Sequence, residues 1–129
     1  MFYVFDQPIT TGDVEADKAI LHMDLAAGVI HQVDVLFQEG CDHLAQVQIF
    51  QANFQIWPTN RGNTIRGNAT VVSFREFYEL RHGHSDLYAL IWGDGNIKDV
   101  EVVIQIGLLP KAIIQPMSFE ALLEAAAGM

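Results

Sequence analysis

The sequence predicts an all-β protein: an antiparallel β-sandwich with an apolar N-terminal arm and a short C-terminal amphipathic helix. Three observations carry that prediction. Apolar and polar residues alternate with period two through most of the chain, the pattern of strands that bury one face. Clusters of Gly, Asn, Asp and Pro interrupt the alternation at short intervals, as in PTNRGN (58 to 63), RHGHSD (81 to 86) and GDGN (93 to 96). No ten-residue helical period separates the strands, as a βαβ crossover would require. The 129 residues suit one domain, divided into an arm and linker over 1–18, a sandwich over 19–115 and a helix over 116–129.

The N-terminal arm is the compact apolar block Phe2, Tyr3, Val4 and Phe5, followed by the polar linker TTGDVEAD. AILHMDL (19 to 25) is the first sandwich strand. In VIHQVDVLF, Val29, His31, Val33, Val35 and Phe37 share one face and Gln32 and Asp34 the other. LAQVQIF repeats the pattern with Ala45, Val47 and Ile49, and the turn-rich QEGCDH between the two runs suits an antiparallel neighbour. FQIW (54 to 57), ATVVSF (69 to 74) and DLYALIW (86 to 92) follow. DVEVVIQIGL is the longest run, with Val100, Val102, Ile104, Ile106 and Leu108 on one side. At the C-terminus Ser118 suits an N-cap, and Phe119, Leu122, Leu123 and Ala126 fall on one helical stripe. A helix of about ten residues is marginal alone, so that stripe needs a surface to dock on.

Composition narrows the function. Seven Lys and Arg stand against 16 Asp and Glu, a formal charge of −9, which repels phosphate backbones and anionic lipid surfaces; direct nucleic-acid binding is not expected. No apolar run is long enough to span a membrane, and MFYVFDQP lacks the basic start of a secretory signal, so synthesis in the cytoplasm is expected. Cys41 is the only cysteine, so no intrachain disulfide can form. Half of the residues are hydrophobic, more than a domain of this size needs for its own interior, and this points to apolar surface used in an assembly.

The polar motifs do not assemble into chemistry. His82-Gly83-His84 offers two imidazoles at metal-ligand spacing, but the motif of the cupin-type metalloenzymes has a glycine where Glu76 stands and a glutamate where Tyr88 or Ala89 stands. Asp94-Gly95-Asn96 opens like a calcium loop, but Lys98 and Gln105 occupy ligand positions. None of the three serines lies in a nucleophile elbow. No catalytic residue, metal or cofactor is assigned, and an enzyme of the cupin type remains only as an alternative.

Two features suggest contacts. Arg61, Arg66, Arg75 and Arg81 fall close together with only Glu76 and Glu79 among them, while residues 1 to 60 hold eight acids against one lysine. Arg61 and Arg66 therefore form a cationic edge on an acidic subunit, suited either to local ion pairs or to a neighbour's carboxylates. Trp57 and Trp92 close their strands; they suit the capping of the core, or alternatively the stacking of a carbohydrate ligand.

The strand pattern from about residue 19 to 109, with its sticky ends, resembles the single jelly-roll structural proteins of viruses and phages. The resemblance implies a jelly-roll-like sandwich and a capsid or capsid-decorating subunit of the virion whose partners are copies of itself or other structural subunits. Phe2, Tyr3, Val4, Phe5, Phe119, Leu122 and Leu123 would make the subunit contacts. A carbohydrate- or ligand-binding module is the main alternative.

Overall fold

In a computed structural model of the chain the alternation becomes two packed layers, described over residues 1–110. The expected C-terminal helix, with Phe119, Leu122 and Leu123, lies outside the described residues. Nine strands form among the described residues: β1 (Phe2–Ile9), β2 (Ala19–Asp24), β3 (Gly28–Phe37), β4 (Gln46–Gln51), β5 (Phe54–Trp57), β6 (Ile65–Arg66), β7 (Thr70–Leu80), β8 (Asp86–Trp92) and β9 (Val100–Pro110). One antiparallel sheet has the order β1-β9-β3-β7; the other has the order β2-β8-β4-β5, with β6 also paired to β4. Only β4, β5 and β6 follow one another within a sheet; every other connection between described strands passes from one layer to the other.

The core lies between the layers. Val33, Val35 and Phe37 of β3 pair with Ile106, Ile104 and Val102 of β9, and all six side chains are buried. They meet Met23, Val47, Ile49, Leu87, Ala89 and Ile91 of the other sheet in one apolar cluster. Each such side chain gains about 1.5 to 3 kcal/mol by leaving water, and the alternation that buries them turns every second residue of the same strands outward.

Four sequence expectations change. The N-terminal block is not a detached arm: Phe2–Ile9 pairs in continuous register with Val100–Gly107 of β9, because alternation in FYVFDQPI suits an edge strand as well as it suits an arm. The N-terminal ammonium also donates to the Leu108 carbonyl at 2.6 Å. The linker that follows is folded back, with Val14 bridged to Asp17 and to Asp94. Next, β3 and β4 are not neighbours. QEGCDH arches from one layer to the other, buries Cys41 and is clamped by Asn68, whose Oδ1 accepts from Gly40 N–H and Asp42 N–H, each at 3.0 Å.

The strand expected to stop at Phe74 runs on to Leu80, since FREFYEL continues the alternation. Finally, His31 does not share the buried face. The register of β3 shifts between Ile30 and Gln32 against both neighbours, a bulge that turns His31 outward over Gly107. Glycine at position 107 leaves room for the imidazole, since a Cβ there would come within 2.9 Å of His31 Nε2 and push the exposed ring aside.

Two outcomes follow. Asn68→Ala leaves two backbone donors of the arch without their acceptor and should cost about 1 to 3 kcal/mol, read as a lower urea midpoint with unchanged slope. Burial raises the pKa of the Cys41 thiol, outweighing the opposing backbone hydrogen bond, so a thiol reagent at neutral pH should modify Cys41 at the rate of unfolding and not at the rate of a free thiol.

Candidate assembly surface

The sequence-predicted contact residues are split by the alternation of β1. Tyr3 and Phe5 face inward, are half-buried and pack against the core, with ring centroids 6.1 Å apart. The Tyr3 hydroxyl accepts from Ala26 N–H at 3.3 Å. Phe2 and Val4 face outward and are 60% and 57% exposed. Half of the block is therefore core and half is surface.

Register extends that surface across the sheet. One row runs from Phe2 through Gly107 and Gln32 to Arg75, the next from Val4 through Gln105 and Asp34 to Ser73, and a third from Asp6 through Val103 and Leu36 to Val71. The middle is polar and internally satisfied: Gln32 Nε2 donates to Asp34 Oδ1 at 2.9 Å and to Ser73 Oγ at 2.7 Å, and the Ser73 hydroxyl donates to the same Asp34 oxygen. Apolar residues flank it. Val71, Leu36 and Val103 line a shallow depression of about 430 Å³ at one end, and Phe77 and Leu109 stand exposed on β7 and β9 at the other. Five of the large hydrophobics exposed among the described residues, Phe2, Val4, Val71, Phe77 and Leu109, belong to this sheet. The sequence reading missed the last three. For Val71 and Phe77 the signal was present in VVSFREFYEL, where odd positions alternate outward once the strand is allowed its full length.

The arginine loop lies on the other sheet. Gln48 and Gln55 are the buried polar residues of β4 and β5, and they hold the loop against the strands. Gln48 Nε2 donates to the Asn63 carbonyl at 3.0 Å, Gln55 Nε2 to the Pro58 carbonyl at 2.8 Å, and Gly62 N–H donates to Gln55 Oε1 at 3.2 Å. The loop thus has a fixed shape, with the Arg61 guanidinium 4.3 Å above the Phe54 ring, a cation–π contact. Arg66 is exposed on β6 beside Gln46. Neither arginine forms an ion pair with a carboxylate among the described residues, so both present charge to solvent.

The tryptophans do not form a stacking platform: each is 3% exposed. Trp57 reaches across to the other layer and meets Phe74 and Tyr78 edge-on, each with centroids at 5.6 Å, closing the open side between β5 and β7. Beside it the Tyr78 hydroxyl donates to Gln51 Oε1, and burial raises the Tyr78 pKa. Trp92 lies beneath Lys18, whose ammonium is 4.4 Å from the ring centroid. A sugar cannot reach either ring face without displacing these groups.

At the turn end of the sandwich, an open cleft of about 680 Å³ is lined by His22, Asp24, Glu79, Arg81, His84 and Asp86, among others. Asp24 and Asp86 stand directly opposite each other on β2 and β8. His82 and His84 sit in the β7–β8 turn around Gly83, which has a φ of 82°, and not on a strand that would align both imidazoles. Among the described residues no three His, Cys, Asp or Glu side chains converge to hold a metal ion. In the 94–97 loop, Asn96 N–H donates to Asp94 Oδ1 at 2.9 Å. The bonds from Asn96 hold the Asp94 carboxyl below its usual pKa, so it serves its own turn.

No family model matches the chain, and no curated protein or solved structure matches it. The surface must be interpreted from its own chemistry. For Trp57, that chemistry predicts stability and not binding: Trp57→Ala should lower unfolding free energy by about 3 to 5 kcal/mol, measured by urea titration, and leave glycan-array binding no different from that of the parent chain.

Proposed function

We propose that the chain is a structural subunit of a protein assembly, a capsid or capsid-decorating protein of a virion, that works by packing rather than by chemistry. The observation that carries this reading is the outer face of the β1-β9-β3-β7 sheet, where Phe2, Val4, Val71, Phe77 and Leu109 expose apolar area around a satisfied polar centre. Exposed apolar area rimmed by polar groups is the chemistry of a protein contact. The strand order supports a jelly roll. Its sheets β1-β9-β3-β7 and β2-β8-β4-β5, with layer-crossing links, have the wrapped order of two Greek keys. That architecture serves shell subunits, lectins and cupins alike, and the buried tryptophans and the histidine turn favour the first of these.

In this reading Arg61 and Arg66 supply a cationic contact. Their complement on the next copy is the acidic side of the cleft, Asp24 and Asp86, and such a heterologous contact closes into rings or shells. Such a protein would be made in the host cytoplasm and end in the virion.

Light scattering across a concentration series tests the reading. The parent chain should reach a mass of many subunits. The double variant Phe2→Asp, Val71→Asp should fall to small species while keeping its melting temperature within a few degrees, since both side chains already face water. A parent chain that stays monomeric, or a double variant with undiminished mass, contradicts the proposal.

A further inference from the structure

The four-stranded sheet ends on β7, an eleven-residue strand that pairs only with β3 among the described residues. It contains neither proline nor glycine, and its side chains alternate without interruption from Val71 to Leu80. A long edge with unpaired backbone groups is a template for another strand. Natural edges are blunted by bulges, prolines, inward charges or brevity; β7 is long and free of proline, and its one irregularity lies on the side of β3, where Glu76 and Phe77 stand against the single residue His31 without breaking the alternation of its side chains. Midway along it stands Phe77, 74% exposed and the most exposed of the large hydrophobics among the described residues. The strand's own sequence says which partner fits.

We propose that β7 pairs antiparallel with β7 of a second copy about a two-fold axis through Phe77, joining two four-stranded sheets into one of eight strands. In an antiparallel pair with this symmetry a residue and its mate lie equidistant from the axis on the same face. Phe77 then meets Phe77 of the second copy. Arg75 comes opposite Glu79 of the other chain, and Glu79 opposite its Arg75, so the exposed face carries two opposite-charge pairs around an aromatic pair. On the inward side Glu76 comes opposite Tyr78 and Phe74 opposite Leu80. Axes at Arg75 or Glu76 would set like charges directly against each other, which is destabilising. An axis at Phe74 avoids that clash but leaves Arg75 opposite Ser73, without a carboxylate. A carboxylate accepts from more than one donor, so bonds that Glu79 makes within its own chain are compatible with the contact.

The inference rests on the assembly reading but specifies one of its contacts, and the test separates the two. Arg75→Glu, Glu79→Arg and the double exchange are compared with the parent full-length chain by sedimentation velocity at low salt, with thermal melts as the check on folding. Each single substitution acts twice across the axis and should weaken the dimerising step on the order of tenfold, while the double exchange restores it.

A second readout is covalent. Residues directly opposite in an antiparallel pair have Cα atoms about 4.5 to 5.5 Å apart, within disulfide reach, so Phe77→Cys should form a covalent dimer under mild oxidation. Ser73→Cys, whose mate lies eight residues along the strand at about 27 Å, should not. Equal masses for parent and all three charge variants overturn the β7 contact while leaving the assembly reading in place, and cross-linking through Phe74→Cys instead of Phe77→Cys overturns the axis. A parent chain that is monomeric at every concentration overturns both.

Discussion

The pairing of β3 with β9 at the centre of one sheet dictates what every flanking strand can show. Val33, Val35 and Phe37 lie opposite Ile106, Ile104 and Val102, and their burial fixes the register of both strands. A one-residue slip of β3 would turn Asp34 into the core and Val33, Val35 and Phe37 into water, and the same slip of β9 would do so with Gln105 and with Val102, Ile104 and Ile106. With that register set, β1 and β7 on either flank have no freedom in which side chains they show. Phe2 and Val4 must face outward if Tyr3 and Phe5 pack inward, and Phe77 must face outward if Tyr78 is to reach Trp57. The apolar outer face is thus a consequence of the inner one.

The two layers solve different problems at their outer surfaces. On the β2-β8-β4-β5 sheet, the chain covers itself: Gln48 and Gln55 fasten the 58–64 loop over the strands, and Phe50 and Tyr88 stack with centroids at 5.3 Å. On the four-stranded sheet, no comparable loop is fastened over the face among the described residues. Its polar centre is satisfied side chain to side chain by Gln32, Asp34 and Ser73, which leaves its apolar flanks as the part whose burial would still gain free energy. Net charge of −9 opposes association of identical chains, so any contact must place opposite charges together. That is why the positions of Arg61, Arg66 and Arg75 matter more than their number.

Much of this was legible in the sequence, for identifiable reasons. Period-two alternation located seven of the nine strands, because burial of one face is a local property that the sequence prints directly. Trp57 as a seal on the sandwich was legible from its position before Pro58. What was not legible depended on partners distant along the chain. FYVFDQPI carries the same alternation whether it swings free or pairs with β9. The link QEGCDH has turn chemistry whether it joins neighbours in one sheet or arches between two, and only Asn68, 28 residues from Gly40, shows which. The bulge at His31 is likewise a property of three strands at once. For the candidate site, Phe2, Val4 and the arginine loop were found from composition. Val71, Phe77 and Leu109 were not, because their exposure follows from strand order and strand length.

In the assembly proposed, the face that carries the contact is the outer surface of β1-β9-β3-β7. Hydroxyl-radical footprinting of the full-length chain, compared between dilute and concentrated solutions, addresses it residue by residue. Labelling of Phe2, Val4, Phe77 and Leu109 should fall as particles form, while Ile20 on the opposite sheet, 55% exposed in the single chain, labels equally in both. Undiminished labelling of the four-stranded face at concentrations where mass has risen, or protection confined to the side of Ile20, would contradict it.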